Sequence, residues 1–516
     1  MSSLRTGARL LETLTSALYA EPIVVFREYI QNAVDSFRKS KSGRNYNAHI
    51  SINISEKYVM IEDNGDGIEE NSFLETMKSI SASPKDGDYS QIGFRGIGRL
   101  SGLTFCEKLW FINNVAGGGK FFTWDGEKYR SIISKSKGQE SLENVIDEIT
   151  ETDDVSPTCN KFPYDSKSKF IVILENIKPE LVDCILEGNT NSKKAVTQPR
   201  EPEYSEEFKH SLELLLPIPY SEGFVKKNDI NDQYHAAFGY DLSQNQFDIY
   251  LNGVQLFKPF NYDNKKDFQI IPIQIFPVDS TGKVSKNAQT IGILWLTFDY
   301  VFKAVKRDWG IAVRRKNMLV RGKSVLAEEA SASQGAITTY NQYLSAIKGV
   351  SGELLIETDC LNDNSRRDWF EVDQNCLQLR TQLCSLMNKL HTYRYKMSHF
   401  VHNDNRTAEE KQGVIEAYTD LVSKQDPTPV ANFIDGRISK EELRETDPQA
   451  DERDILGYSL SQKRFYKEIM LDVYEYFGPG NSAEYYKLKT FILKKLNRTS
   501  NELVDEDTPQ LETDHA

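Results

Sequence analysis

Long apolar runs are missing from this 516-residue sequence. No stretch reaches the ~18 uninterrupted apolar residues that a membrane-spanning helix needs. The first residues also lack the apolar segment and small-residue cleavage site of a secretory signal. The sequence therefore predicts a cytoplasmic protein with no membrane partner.

Cysteine is scarce, and its spacing excludes the common metal and redox motifs. The sequence contains no Cys-x-x-Cys pair, and no histidine lies beside a cysteine at metal-ligand spacing. We therefore expect reduced thiols in the core or on the surface. They are Cys106, Cys159, Cys184, Cys360, Cys376 and Cys384.

Positive charge is also in short supply, since 63 Lys and Arg oppose 76 Asp and Glu. A net charge of −13 disfavours broad nucleic-acid binding, although a local basic patch can survive an acidic average. The stretch 303–323 is the candidate patch, and a solvated strand edge blocked by charge is the alternative. Its basic residues are Lys303, Lys306, Arg307, Arg314, Arg315, Lys316, Arg321 and Lys323.

The length predicts about three domains. A polar, proline-bearing stretch at 187–206 is the best linker candidate, and we place domains at 1–190, 205–400 and 401–516. Apolar periodicity predicts helices at 8–20, 23–40, 71–81 and 372–398, and a helical region from about 405 onwards. It predicts strands at 48–62, 108–133, 169–175, 249–256 and 291–298, the last two beyond the linker. Residues 501–516 read as a solvated acidic tail.

The helix predicted at 23–40 has two faces. Phe26, Ile30, Ala33 and Phe37 repeat at helical spacing and should pack against a sheet. A polar stripe on the opposite face is either the wet side of the helix or part of a binding site. That stripe consists of Glu28, Asn32 and Asp35.

Two glycine-rich segments follow this helix. Asp63, Gly65 and Gly67 end a predicted strand, where glycine permits close approach of the backbone to a ligand, although a simple turn is the alternative. A loop with Gly93, Gly96 and Gly98 precedes an apolar run, which is typical of a phosphate seat at a helix start. It is neither a dinucleotide-binding fingerprint nor a Walker motif.

Together, these three segments resemble the GHKL ATPases, which include gyrase B, histidine kinases, MutL and the heat-shock protein 90 chaperones. The shared order is Glu-x-x-x-Asn-x-x-Asp, Asp-x-Gly-x-Gly and Gly-x-x-Gly-x-Gly. Residues 14–33 and 79–85 are most similar to heat-shock protein 90 and its bacterial form HtpG. The resemblance implies a multidomain α+β protein, with a Bergerat-fold ATPase domain on a mixed sheet and an α/β middle domain. It does not extend beyond residue 400, where the helical C-terminal region is a candidate for dimerisation.

The resemblance also implies roles for these residues. Glu28 would be the general base, Asn32 would hold Mg²⁺, and Asp35 would support the pocket. Asp63 and Gly67 would contact adenine. The phosphates of ATP would meet the backbone of the glycine loop, and Lys85 would reach them from a lid unless it is simply solvated. The loop residues are Gly93, Gly96 and Gly98.

Residues 310–315 and 359–366 are similar to a strand and to the arginine loop of the chaperone middle domain. Arg366 would stabilise charge on the γ-phosphate, and Arg367 is the competing candidate. The function implied is a slow, Mg²⁺-dependent ATPase, a homodimeric clamp acting on a protein client or effector. The alternatives are a DNA-engaging ATPase of the MutL or MORC kind, which includes a role in a bacterial defence system, and a scaffold that binds ATP without turnover.

Overall fold

A computed structural model of the protein describes residues 11, 21–39, 48–80, 98–115, 118–136, 140–155, 162, 167, 169–187, 204–260, 268–298, 309–333, 337–364, 368–402 and 405–422. Within these ranges the chain forms an eight-stranded and a five-stranded sheet, each packed against helices. This architecture confirms the predicted α+β fold class.

The first sheet has the strand order β5-β4-β3-β6-β2-β1-β7-β8. Its neighbouring strands are antiparallel except for β1 and β7, which are parallel, so the predicted mixed sheet is confirmed. The strands are β1 (His49–Ile54), β2 (Tyr58–Asp63), β3 (Cys106–Val115), β4 (Gly118–Asp125), β5 (Thr150–Asp154), β6 (Phe170–Ile177), β7 (Asp248–Leu251) and β8 (Val254–Gln255).

Alternation along these strands divides the apolar residues between two faces of the sheet. Phe111 and Val172 join the main core beneath the helices, whereas Ile112 and Ile173 form a smaller cluster with Phe162. The helices that contribute to the main core are α1 (Val24–Lys39), α2 (Glu70–Lys78), α3 (Gly126–Ser136), α4 (Leu142–Ile149), α5 (Pro179–Glu187) and α6 (Glu206–Leu215).

The first sheet continues past the predicted linker at 187–206. Strand β7 lies beyond it and pairs in parallel with β1, and α6 contributes to the same core. The turn between β7 and β8 contains Asn252 and Gly253, both with positive φ, as the Asn-Gly pair predicted. The domain boundaries stay a prediction, while the sheet ties together the segments on both sides of the linker.

The second sheet has the order β12-β11-β13-β10-β9. One face packs on four helices, and the other packs on α7 (Lys227–Phe238). The strands are β9 (Phe268–Ile275), β10 (Gln289–Phe298), β11 (Gly310–Arg315), β12 (Met318–Arg321) and β13 (Val350–Ile356). The four helices are α8 (Val325–Ala332), α9 (Ile337–Ala346), α10 (Gln374–His402) and α11 (Ala408–Val422).

One secondary-structure prediction was wrong. The strand region expected over 108–133 ends at Asp125, because the Asp125 carboxylate accepts a 2.7 Å hydrogen bond from the Lys128 amide and starts α3. Beyond the linker, helices α6 and α7 come before strand β7. The hairpin at 48–62, the strands at 169–175 and 291–298, and the helix at 372–398 are confirmed.

Candidate functional site

Helix α1 carries the first candidate segment, and both its apolar and its polar face contain buried residues. Its apolar face, which includes Phe26 and Ile30, lies in the main core as predicted. On the polar face, Glu28 is only 4% exposed and Asp35 is 0% exposed, while Asn32 is half-buried. The wet-side alternative is therefore wrong for Glu28 and Asp35. Buried carboxylates need compensating partners, and Asp35 has one in Arg38, 3.8 Å away.

Both glycine-rich segments approach α1. A Cβ placed on Gly98 would overlap the Glu28 carboxylate, so the end of the glycine loop lies directly against this side chain. A Cβ placed on Gly65 would lie 2.7 Å from Ser36 Oγ and 2.9 Å from Asp63 Oδ1. A side chain at either position would displace the end of a neighbouring polar side chain, so the three segments meet closely around one helix.

Tyr29 forms hydrogen bonds to the residues that follow the glycine loop. Its hydroxyl donates a 3.0 Å hydrogen bond to the carbonyl of Arg99 and accepts one of 2.9 Å from the amide of Gly102. Both acceptor and donor belong to the short 3-10 helix Gly98–Thr104. Sequence analysis missed Tyr29, because an aromatic residue beside a predicted apolar face looks like an ordinary core residue.

Asp63 lies at the end of β2 in a buried position. Its Oδ1 accepts a 2.9 Å hydrogen bond from the amide of Gly65. Burial raises the pKa of this carboxyl to about 7, and the hydrogen bond from Gly65 offsets only part of that effect. A buried acid of this kind is suited to bind a neutral hydrogen-bond donor on a ligand.

The loop after Asp63 is pinned to the neighbouring strand β3. Asn113 donates a 2.6 Å hydrogen bond to the carbonyl of Ile68 and accepts one of 3.0 Å from the Ile68 amide. Gly67 has a φ of 70°, a left-handed conformation that favours glycine. Sequence analysis missed Asn113, although an asparagine in an otherwise apolar strand was the available signal.

The segment predicted to carry the arginine loop lies between β13 and α10. The residues that flank 365–367 are bonded to each other: Asn364 Nδ2 donates to Asp368 Oδ1 at 2.7 Å, and the Asn364 amide donates to the Trp369 carbonyl at 2.9 Å. Asp363 and Phe370 form an isolated antiparallel bridge. We call residues 362–364 and 368–371 the loop stem. Arg366 and Arg367 lie outside the described residues.

Three further predicted site residues also lie outside the described residues, namely Lys85, Gly93 and Gly96. Of the predicted set, the structure brings Glu28 and Gly98 into contact, and it places Asn32 and Asp35 on the same helix as Glu28. Asp63 meets that helix through Gly65 and Ser36.

The basic stretch at 303–323 does not form a surface patch over its described part. Arg314 is buried in an ion pair with Glu353, and Arg315 is buried against Asp363 at 2.5 Å. Lys316 is also buried. Both earlier interpretations, a nucleic-acid patch and a solvated strand edge, are therefore wrong for these three residues.

The five cysteines that the structure describes are free, and four of them are buried. Across the same part of the chain, no group of three or more His, Cys, Asp or Glu side chains could hold a metal ion. A search of the described helices finds none that is long and apolar enough to cross a membrane.

Residues 20–156 match the family model described as Histidine kinase-, DNA gyrase B-, and HSP90-like ATPase. The resemblance of this segment to the GHKL ATPases, predicted from its motifs, is therefore confirmed. The matched residues include α1, Asp63 and Gly98, so the contacts described above between α1 and the two glycine-rich segments lie within the match.

The chain is also similar to HtpG chaperones. It is 22% identical to the chaperone protein HtpG of Clostridium perfringens over 274 residues, which are 48% of this chain and 42% of the relative. It is 24% identical to HtpG of Rickettsia typhi over 154 residues, 26% of this chain and 25% of the relative. For HtpG of Acinetobacter baylyi the identity is 27% over 132 residues, 21% of each chain. The chain thus spans less than half the length of the relatives it matches.

Proposed function

We propose that the protein binds and hydrolyses ATP and acts as a conformational clamp, resembling heat-shock protein 90, on a protein partner. The observation that carries this proposal is the convergence on α1, where Glu28 lies against Gly98 and Ser36 lies against Gly65. The GHKL match supports the nucleotide, and the similarity to HtpG supports the chaperone-like role.

The adenine end of the site is assigned to Asp63 and Gly67. A buried carboxyl whose pKa burial raises to about 7 lacks compensation when ionised, and an adenine amino group would donate a hydrogen bond to it. Gly67 carries no side chain that would obstruct a base. Both features fit a purine base, which has a hydrogen-bond donor for Asp63 and a flat ring for the space beside Gly67.

The phosphate end is assigned to the glycine loop, with backbone N–H groups of Gly93, Gly96 and Gly98 as donors and Lys85 as a lid contact. Arg99, which follows this loop, supports the assignment. Its Nε and Nη2 are buried without a hydrogen-bond partner among the described residues, and burial lowers the pKa of its guanidinium to about 10. An anionic ligand near the loop would stabilise this charge.

For hydrolysis, Glu28 is the general base that takes a proton from the attacking water, a role that contributes ~10²–10⁴ in rate. Asn32 is assigned to hold Mg²⁺, which when bound neutralises phosphate charge. Asp35 is assigned to support the pocket, and it lies 3.8 Å from Arg38, one turn further along the same helix. Arg366, with Arg367 as the competing choice, would stabilise the charge that develops on the γ-phosphate.

The direct test compares ATP turnover and nucleotide binding in Glu28→Gln and in the parent protein. Removal of the base should lower turnover by ~10²-fold or more, whereas ATP binding should change little. Glu56→Gln, at an exposed position, is the matched control and should turn over normally. Normal turnover by Glu28→Gln would remove Glu28 from the mechanism.

The clamp and its dimer are tested by light scattering with and without a non-hydrolysable ATP analogue. The proposal expects a dimer whose shape becomes more compact with the analogue. A DNA-engaging ATPase is the alternative, and it requires turnover that DNA stimulates with steep salt dependence. The burial of Arg314 and Arg315 disfavours this alternative, since they are not available to phosphates. The predicted cytoplasmic location stays a prediction.

A further inference from the structure

The turn between β11 and β12 touches both parts of the proposed ATPase site. Lys316 and Asn317 form it, and both have positive φ, 48° and 66°. This pattern is typical of a tight two-residue hairpin turn. The residues on and beside this turn contact α1 on one side and the loop stem on the other.

On the side of the loop stem, the contact is made by Arg315. Its Nη1 lies 2.5 Å from Asp363 Oδ1, and its guanidinium carbon lies 5.9 Å from the centre of the Phe370 ring. Asp363 and Phe370 are the two bridged residues of the stem. Arg315 therefore holds both strands of the stem that leads to Arg366.

On the side of α1, the contact is made by Arg38. Its Nη2 donates hydrogen bonds to Asn245 Oδ1 at 2.7 Å and to the Lys316 carbonyl at 3.4 Å. Asn245 is also bonded to the turn itself, since Asn317 Nδ2 donates a 3.0 Å hydrogen bond to the Asn245 carbonyl. Arg38 also lies 3.8 Å from Asp35, so it joins the turn to the helix that carries Glu28 and Asn32.

The base of the turn is fixed in the core. Arg314 is fully buried, pairs with Glu353, and donates a 3.1 Å hydrogen bond to the Asn317 carbonyl. A movement of the turn relative to the second sheet would break the hydrogen bond from Arg314 to the Asn317 carbonyl and leave buried polar atoms without this partner, which is costly. The turn is consequently a rigid connection between α1 and the loop stem.

We propose that this turn sets the position of the arginine loop relative to α1, with Arg315 and Arg38 as positioning residues for ATP hydrolysis. The inference rests on the proposed function, because it needs an arginine of that loop to act on ATP held at α1. Arg315 and Arg38 touch other side chains and not the nucleotide. Their loss should therefore lower kcat and leave nucleotide affinity nearly unchanged.

The test is a double-mutant cycle on Arg315 and Asp363, with kcat and the nucleotide Kd measured for each protein. Arg315→Ala and Asp363→Ala should each lower kcat about tenfold or more with Kd within about threefold, and the double variant should match the single variants. Arg315→Lys keeps the charge and should recover part of kcat. Arg321→Ala is the control, because this half-exposed arginine pairs only with Glu328 among the contacts described and should leave kcat unchanged.

Hydrogen exchange gives a readout that is independent of turnover. The amides of Asn364 and Glu371, bonded to the carbonyls of Trp369 and Asn362, should exchange faster in Arg315→Ala than in Arg321→Ala. A parent protein that neither binds nor hydrolyses ATP overturns the proposed function, and the positioning role with it. A parent that turns over, with Arg315→Ala and Arg38→Ala within twofold of its kcat, overturns the positioning role alone.

Discussion

The carboxylate of Glu28 lies against the backbone of Gly98, in a contact that leaves no room for a Cβ. This contact joins the first residue of the first motif to the last glycine of the third. It also fixes where a general base would stand relative to a phosphate-binding loop. Changes on either side of the contact should therefore affect catalysis more than folding.

Gly98→Ala tests the contact directly. The added methyl group would push the Glu28 carboxylate away, so we expect turnover to fall at least tenfold, with a smaller loss of stability. Gly322→Ala is the matched control, since a Cβ there meets nothing within 4 Å. Steady-state ATPase assays check both variants. Equal activity in the two variants would show that the overlap has no bearing on turnover.

Tyr29→Phe tests how the residues after the glycine loop are held. The change removes the hydroxyl that bonds to Arg99 and Gly102, and it leaves the Gly102 amide buried without that partner. An unsatisfied buried donor costs about 1–3 kcal/mol. We expect that loss in chemical unfolding, together with weaker nucleotide binding. Tyr395→Phe, at an exposed tyrosine, should change neither quantity.

Asp63 predicts a specific dependence of stability on pH. Its pKa rises from 3.8 to about 7 on folding, so between these values the folded protein keeps a proton that the unfolded chain has lost. The stability contribution of this group is therefore complete below about pH 4 and is lost as the pH rises to about 7.

Asp63→Asn removes this titration and keeps an oxygen for the Gly65 amide. Relative to the parent, the free energy of unfolding of the variant should increase across the same window and stay higher above it. Urea unfolding at a series of pH values measures the difference, with exposed Asp66→Asn as the control. Parallel pH curves for the parent and Asp63→Asn would contradict the raised pKa.

Glu353 is expected to matter for stability rather than for chemistry. It accepts hydrogen bonds from Tyr220 at 2.5 Å and from Lys258 at 3.0 Å, and it pairs with Arg314. Burial alone would raise the pKa of Glu353, but the charges of Arg314 and Lys258 outweigh burial and lower this pKa to about 2. The carboxylate is thus the counter-charge of two buried cations.

Glu353→Gln should therefore destabilise the protein by about 3–5 kcal/mol, because it leaves buried positive charge without compensation. Glu328→Gln breaks the more exposed pair with Arg321 and should cost about 1 kcal/mol or less. Chemical unfolding of the two variants separates these expectations. A similar, small loss in both would mean that the buried cluster is dispensable.

Periodicity made much of the fold predictable. The apolar face of α1, the β1–β2 hairpin and the long helix α10 each have enough regular residues to specify their structure. Helix α3 was missed because its apolar residues directly follow those of the preceding strand. The hydrogen bond from the Lys128 amide to Asp125, which starts the helix, is a single local contact. A short apolar run does not distinguish strand from helix.

The sequence predicted the candidate site residues that lie in motifs, but not the residues that hold those motifs in place. Order and spacing singled out Glu28, Asp63 and Gly98 as candidates, but polar residues at helical spacing look alike on a solvent-exposed face and in a pocket. Tyr29 and Asn113 were missed because their partners are 73 and 45 positions away in the sequence. Arg314 and Arg315, which precede the turn between β11 and β12, were interpreted as charged surface, because their pairing with distant carboxylates depends on the tertiary fold.

The central claim is that a purine nucleotide binds between α1 and the glycine-rich segments. Isothermal titration calorimetry of the pure, folded protein with Mg²⁺ and a non-hydrolysable ATP analogue tests it most directly. We predict a saturable heat with a Kd at or below the order of 1 mM, the range in which enzymes commonly bind substrates, and its loss in Asp63→Ala. No heat from adenosine nucleotides at such concentrations would contradict the account.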